Sequence, residues 1–222
     1  MNPNPRESFP VDLTLYGDVV SPWCWLAEKR VLQAVKLLDG YFAPLRHAPF
    51  PLRPEPAAPS PAERRGMARE VRKAARQPDG AFLSPDLWTT GDAPSCSVPA
   101  LVALAAARMQ GAHWEEVLRE RLREAALVAG LNVSRHDVLI EVAARSGLQM
   151  DRFVAALHAP GTERAVLDDY QEAVENGVEA VPALVIGEEW LVCGAREAGE
   201  YLEILRRYIE SRSGLGGSQV VH

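Results

Sequence analysis

The stretch that decides the fold is residues 13–26, LTLYGDVVSPWCWL. Alternating apolar and polar residues over 12–16 predict a short strand. From Trp23 onward, an apolar stripe at helical spacing predicts a helix. Ser21 and Pro22 fall at the junction, because serine is a favoured N-cap residue and proline suits the first helical turn. The stretch is therefore predicted to be a strand that turns directly into a helix.

The junction places a hydroxyl and a thiol one helical turn apart. Ser21 and Cys24 lie at the positive end of the predicted helix, where backbone N–H groups stabilise a thiolate or another anion. Two interpretations stay open at this point. Either these side chains carry chemistry, or Ser21 only caps the helix and Cys24 is a small buried apolar residue.

Composition narrows the classes of protein that fit. The 222 residues are 47% hydrophobic and 24% charged, which is typical of a soluble globular chain. A net charge of −6 argues against a general nucleic-acid binder.

No signal peptide and no membrane span are evident, so we expect a cytoplasmic protein without a membrane partner. The cysteines (Cys24, Cys96 and Cys193) share no Cys-x-x-Cys spacing, and no structural disulfide is expected in a reducing compartment.

After the first helix, residues 41–50 predict a second strand, parallel to the first because a helix connects them. His47 lies in this strand with no second histidine or cysteine at metal spacing, so no metal site is expected. Clustered prolines then lead into a long helical region. Its predicted helices cover 61–76, 99–110, 114–130, 134–146 and 151–157, and Ser134 with Asp137 resembles a capping box.

The C-terminal part is predicted to contain both helices and strands. A helix over 162–176 precedes a β-hairpin with strands at 183–186 and 190–192, and a last helix covers 196–209. Val181-Pro182 stands immediately before the hairpin, and we predict a cis bond there because X-Pro is where cis costs little. Residues 212–222 are small and polar, which predicts a disordered tail.

Together these elements predict an α/β protein. Residues 11–58 and 161–211 would form a discontinuous thioredoxin-like domain, with a four-stranded sheet and helices on both faces. Residues 59–160 would form an inserted all-helical domain.

Three stretches carry a resemblance to a known family. They are SPWC at 21–24, VPALVI at 181–186, and the helical run at 121–148, RLREAALVAGLNVSRHDVLIEVAARSGL. Over about residues 12–210 the chain resembles the DsbA-like thioredoxin superfamily. Within it, the chain is similar to FrnE-type oxidoreductases, kappa-class glutathione transferases and 2-hydroxychromene-2-carboxylate isomerases.

The resemblance implies roles for particular residues. Ser21 matches the nucleophilic cysteine of the oxidoreductases and the serine that binds the glutathione sulfur in the transferases and isomerases. Cys24 matches the buried resolving cysteine. Val181 matches the residue before the cis-proline, whose backbone pairs with glutathione or a substrate peptide. The implied binding site also includes Pro22, Trp23, Pro182, Gly194, Ala195 and Arg196, the last three holding the γ-glutamyl end.

The chemistry that Ser21 and Cys24 can carry out distinguishes three possible functions. Disulfide exchange needs an attacking thiolate, which Ser21 cannot supply. A hydroxyl at a helix N-terminus can instead donate a hydrogen bond to a bound thiolate and lower its pKa. We therefore expect an enzyme that uses glutathione as co-substrate, of transferase or isomerase type, with Ser21 and Cys24 as the catalytic residues and no metal.

The alternatives are a thiol–disulfide oxidoreductase acting through Cys24 and a non-catalytic thioredoxin-fold binding module. The expected partners are a small-molecule thiol or electrophile, or a protein disulfide. A homodimer is compatible with the sequence.

Overall fold

Apart from one additional one-turn helix, strands and helices follow one another in the order that the sequence predicts. The computed structural model describes residues 10–212. Its elements are β1 (Leu13–Gly17), α1 (Pro22–Lys36), β2 (Arg46–Pro49), α2 (Pro61–Ala74), α3 (Asp86–Thr89), α4 (Val98–Arg108), α5 (Ala112–Leu127), α6 (His136–Arg145), α7 (Met150–Leu157), α8 (Pro160–Glu175), β3 (Ala183–Ile186), β4 (Trp190–Cys193) and α9 (Ala198–Arg212). The predicted tail, 212–222, lies outside the described residues except for Arg212, which ends α9.

The four strands form one sheet in the order β2-β1-β3-β4. β1 pairs with β2 in parallel and with β3 antiparallel, and β3 pairs with β4 antiparallel. The parallel pair follows from the helical crossover between β1 and β2, and the antiparallel hairpin from its short turn. The predicted four-stranded, α/β, thioredoxin-like architecture is confirmed.

Alternating residues of the strands bury the two faces of the sheet against different helices. Leu13 and Leu15 of β1 pack in one apolar cluster with Val31 of α1 and Leu205 of α9. Tyr16 and its neighbours face the other way, into a smaller cluster with α8; its members are Tyr16, Phe50, Tyr170, Ala173, Val178, Val181 and Ala183. Helices therefore cover both faces of the sheet, as predicted from the order of the elements.

The helices from α2 to α7 share a large apolar core with the turn between β1 and α1. Trp88, Leu118 and Phe153 are among its fully buried side chains, and Val20 and Trp25 belong to the same cluster. The helical region therefore packs directly on the start of α1. None of the helices in the described part of the chain is long and apolar enough to cross a membrane.

Several predicted boundaries are wrong for local reasons. β2 covers only Arg46–Pro49, because Pro44 interrupts the predicted strand, although Val11 still pairs with Phe42. The predicted capping box at Ser134 does not form. Ser134 donates from its backbone N–H and its hydroxyl to Asn132 Oδ1 instead.

Three helices differ from the pattern in where they begin or in being present at all. α6 begins at His136 rather than at residue 134. The one-turn helix α3 lies in the region predicted to be irregular, and α9 begins at Ala198 rather than at residue 196.

Candidate active site

The start of α1 has the geometry that the sequence predicts for a capped helix. Ser21 is the N-cap residue, with extended backbone angles, and its Oγ accepts a hydrogen bond from the Cys24 backbone N–H at 3.2 Å. Pro22 occupies the first helical position. The half-buried Trp23 donates its indole N–H to Glu70 Oε2 at 3.3 Å. Ser21 itself is only 3% exposed, so its hydroxyl lies under the surface.

Cys24 sits beneath Ser21 and is completely buried, with 0% exposure. A Cβ atom placed on Gly17 would lie 3.3 Å from the Cys24 sulfur, so the end of β1 closes tightly over the thiol. Burial raises the pKa of Cys24 to about 11, although hydrogen bonds from the Ser21 side chain and the Asp18 backbone and the charge of Arg123 act to lower it. The thiol is therefore protonated at neutral pH, which removes its nucleophilic form.

The Val181-Pro182 peptide bond is cis, as predicted. The register of β1 and β3 pairs Tyr16 with Ala183, so the next step along the ladder sets Pro182 beside Gly17, at the turn that leads to Ser21. Neither backbone polar group of Val181 makes a hydrogen bond to another residue in the range 10–212. The residue before the cis-proline thus offers an unpaired N–H and C=O.

In the segment 194–196, which the sequence assigns to the γ-glutamyl end of glutathione, two of the three backbone amides already have hydrogen-bond partners. Gly194 N–H donates to Pro182 O at 2.8 Å, and Arg196 N–H donates to the Tyr201 hydroxyl oxygen at 3.3 Å. The same hydroxyl donates to Gly194 O at 3.1 Å. Of the three amides, only that of Ala195 has no hydrogen-bond partner among residues 10–212, and the Arg196 side chain is exposed.

A buried ionic cluster below Cys24 is the feature that sequence reasoning missed. Glu28 Oε2 lies 3.0 Å from His47 Nε2 and 3.3 Å from Arg119 Nε, and it also accepts a hydrogen bond from Arg123. Burial alone would raise the pKa of Glu28, but Arg123, His47 and Arg119 hold it well below its usual range. The sequence signal was the four-residue spacing of Arg119 and Arg123 on α5, a helix whose inward face is otherwise apolar.

A cavity opens next to this cluster. Its lining includes Cys24, His47, Arg119 and Arg123, and its volume is about 80 Å³. It lies where β1 and β2 end against α4, α5 and α8. No group of three or more histidine, cysteine or carboxylate side chains within residues 10–212 is arranged to hold a metal ion.

We expect one of the three thiols to react in the folded protein. Cys193 is exposed, whereas Cys24 and Cys96 are buried, and burial raises the pKa of both buried thiols. Titration with a thiol reagent at pH 8 should find one reactive group in the native chain and three after denaturation. In the Cys193→Ser variant the native reaction should vanish. Rapid labelling of Cys24 in the folded chain would show that the site is more open than described.

His47 should make stability depend on pH. Burial lowers the pKa of His47, with Glu28 opposing this effect. Below about pH 6.5 the unfolded chain therefore binds a proton that the folded chain does not, so the free energy of unfolding should fall as pH falls, by at most about 1.4 kcal/mol per pH unit. Chemical denaturation of His47→Gln should show less of this loss between pH 7 and pH 5. The exposed His113 provides the control, since His113→Gln should keep the wild-type dependence.

Comparison with known proteins places the chain among thioredoxin-fold proteins. The family described as the DSBA-like thioredoxin domain matches residues 12–205. The ClpXP adapter protein SpxH of Bacillus subtilis is 25% identical over 177 residues, which are 79% of this chain and 58% of that protein. SpxH of Halalkalibacterium halodurans is 34% identical over 100 residues, 45% of this chain and 32% of that protein. The chain therefore matches less than two thirds of the length of these curated relatives.

Solved structures show the same fold at low sequence identity. A Nitrosomonas europaea protein assigned as a protein disulfide isomerase superposes with a TM-score of 0.78 at 16% identity, covering 91% of this chain and 99% of that one. The cytosolic disulfide reductase DsbM from Pseudomonas aeruginosa, solved with GSH, gives 0.66 at 20% identity, with 92% and 100% covered. A 2-hydroxychromene-2-carboxylate isomerase gives 0.64 at 15% identity, with 93% and 100% covered.

Proposed function

Because the chain belongs to the DSBA-like thioredoxin domain family, we propose that it is a glutathione-linked enzyme of transferase or isomerase type. Ser21 would stabilise the thiolate of glutathione, which then acts as the nucleophile. The observation that supports this most is the hydroxyl at the N-cap of α1, where the family's oxidoreductases have their attacking cysteine, above a Cys24 thiol that is fully buried.

The hydroxyl of Ser21 is arranged to donate. Its oxygen already accepts the Cys24 backbone N–H, so its proton remains available for a bound sulfur. The positive end of α1 would add to this effect, because unpaired N–H groups at a helix start favour an anion. A hydrogen bond to the charged form lowers the pKa of a thiol and raises its thiolate fraction at neutral pH.

The backbone of Val181 supports a peptide-like ligand. Its free N–H and C=O, just before β3, can pair with the cysteinyl part of glutathione through backbone hydrogen bonds like those between strands. The γ-glutamyl carboxylate would then lie near the Ala195 amide and the exposed Arg196 guanidinium, which can form a charge-assisted hydrogen bond. Ala195 and Arg196 belong to the segment 194–196 that the sequence indicates for this end of the ligand, and the backbone amides of Gly194 and Arg196 are already paired within the protein.

In a transferase reaction the thiolate sulfur attacks an electrophilic carbon. A C–S bond forms, the leaving group departs with the electron pair of the bond that breaks, and the thiol proton goes to water. In an isomerase reaction the sulfur would add and later leave, so that glutathione is regenerated. Ser21 assists both by stabilising the thiolate, and Pro22 and Trp23 flank it at the helix start.

A single-cysteine oxidoreductase is less well supported. Cys24 would have to attack a disulfide as a thiolate, yet it is fully buried and its pKa is raised to about 11. The second candidate function is a protein-binding module without turnover. It is favoured by the SpxH relatives, which are ClpXP adapter proteins.

We place the protein in the cytoplasm, where glutathione is mainly in the thiol form. This placement is supported by three free cysteines in the described structure, which suit a reducing compartment. The likeness to DsbM, a cytosolic protein solved with GSH, points the same way.

Glutathione binding tests the proposal directly. Calorimetric titration should detect binding at millimolar glutathione, and Arg196→Ala should weaken it by about fivefold to tenfold through the lost charge-assisted bond. The exposed Arg206 on α9, the helix that follows Arg196, provides the control, since Arg206→Ala should bind like wild type. Conjugation of glutathione to an aryl chloride then tests for turnover. If no binding is detected, the enzyme proposal fails and the adapter-like function takes its place.

A further inference from the structure

The cavity behind Cys24 has the composition of a binding site for a small organic anion. Its lining combines apolar side chains with the buried guanidinium groups of Arg119 and Arg123. We propose that this cavity binds a small monocarboxylate, whose carboxylate is held by Arg119 and Arg123. The inference does not depend on glutathione, because the proposed glutathione site lies at Val181 and the cavity lining does not include that residue.

The two buried guanidinium groups converge on one carboxylate. Arg119 and Arg123, only 6% and 3% exposed, both pair with the single carboxylate of Glu28. His47 contacts the same carboxylate oxygen at 3.0 Å. Arg119 has a second partner in Glu115, whose Oε1 lies 3.5 Å away and whose Oε2 lies 3.6 Å from Arg108. Within residues 10–212, Arg123 pairs with no carboxylate other than Glu28, so a monocarboxylate in the cavity would give it a partner that it does not share.

The other charged groups of the lining do not pair with Arg123. Asp18 accepts backbone N–H bonds from Val20 at 3.1 Å and Leu52 at 2.7 Å. Arg108 and Asp169 also line the cavity and are exposed. No ion pair within residues 10–212 joins Asp18 or Asp169 to Arg123.

A hydrogen-bond donor also remains unused. The Nε atom of Arg123 is buried and has no hydrogen-bond partner within residues 10–212. The Nε atom of Arg119 likewise makes no hydrogen bond, although it lies 3.3 Å from Glu28 Oε2. Buried donors are normally satisfied, and a guanidinium matches a carboxylate better than any other common anion except phosphate.

The volume of the cavity and its apolar lining indicate which class of ligand it can bind. A volume of about 80 Å³ holds about five to eight water molecules, or a molecule with a similar number of heavy atoms. The apolar part of the wall would contact a short hydrocarbon body; it includes Leu15, Val19, Leu101, Leu104 and Val166. A monocarboxylate with a chain of two to four carbons meets both conditions, whereas the headgroup of a phosphate monoester has no apolar surface to contact this wall.

Paired probes test the proposal. Propionate and butyrate are titrated against propionamide and butyramide at constant ionic strength, with ligand-observed NMR and the thermal midpoint as readouts. We expect the carboxylates to bind with dissociation constants on the order of 1 mM and to raise the midpoint. The neutral amides should bind at least about tenfold more weakly.

Two variants test whether the carboxylates bind in this cavity. Arg123→Met removes the donor but also breaks a buried ion pair, so Ala105→Leu is the sharper test because it narrows the cavity and leaves both arginines in place. Ala105→Leu should weaken butyrate by at least about tenfold, and Ala144→Leu, on the exposed side of α6, should not. Equal binding of acid and amide would overturn the proposal, as would butyrate binding that survives Ala105→Leu. Loss of glutathione binding alone would leave it intact.

Discussion

Replacing Ser21 with cysteine is expected to turn the chain into an efficient dithiol oxidoreductase. The new sulfur would occupy the N-cap position, one turn before Cys24, and so restore Cys-Pro-Trp-Cys. A thiol there gains the stabilising effect of the helix N-terminus on its thiolate, and Cys24 can resolve the mixed disulfide from within. Insulin reduction with glutathione as reductant should rise at least about tenfold over wild type.

The chain contains a matched control for this change. Ser60 is the N-cap residue of α2, its Oγ accepts the Glu63 backbone N–H at 3.2 Å, and a proline follows it. Ser60→Cys therefore creates a cysteine with the same local geometry but no second thiol one turn away, and it should add little activity. If Ser60→Cys matched Ser21→Cys, or if wild type already reduced insulin as fast, Ser21 would not be the residue that determines the chemistry.

Removing the Glu28 carboxylate is expected to destabilise the fold far more than removing a carboxylate from an exposed ion pair. Glu28→Ala would leave Arg119 and Arg123 buried without their shared anion. Breaking a buried ion pair on one side typically costs about 3–5 kcal/mol, so the free energy of unfolding at pH 7 should fall by about that amount. Chemical denaturation measures it.

Glu141→Ala is the control that separates the loss of the buried ion pairs from any effect of alanine on helix stability. Glu141 also sits within a helix and pairs with an arginine, Arg145, at 2.6 Å, but both side chains are exposed. Exposed pairs contribute about 0–1 kcal/mol, so the control should lose no more than that. Equal losses in Glu28→Ala and Glu141→Ala would show that the ionic cluster does not stabilise the fold.

Local signals explain how much of the fold the sequence could predict. The strand before Ser21, the proline after it and the helix stripe are all encoded within a few residues, and the start of α1 is as predicted. The hairpin and the cis bond at Val181-Pro182 were likewise predictable, because proline and the short turn act on their neighbours.

Contacts between distant residues were not predictable. Glu28 and Arg123 are 95 residues apart in sequence, and only the fold brings their helices, α1 and α5, close enough for the two side chains to meet. The amide of Arg196 is occupied by the hydroxyl of Tyr201, which the pattern places on the buried face of α9 without showing where it reaches. The periodicity of a single sequence indicates which side chains are buried, but which buried side chains contact one another depends on the fold.

The acidity of glutathione bound to the protein tests the central claim most directly. Thiolate absorbance of the complex is followed against pH in wild type, in Ser21→Ala and in Ser60→Ala as the capping control. The account predicts that bound glutathione has a lower thiol pKa in wild type than in Ser21→Ala by about one unit, the equivalent of about 1.4 kcal/mol, with binding only modestly changed. Ser60→Ala should titrate like wild type. Coincident titrations of wild type and Ser21→Ala would contradict the role assigned to Ser21.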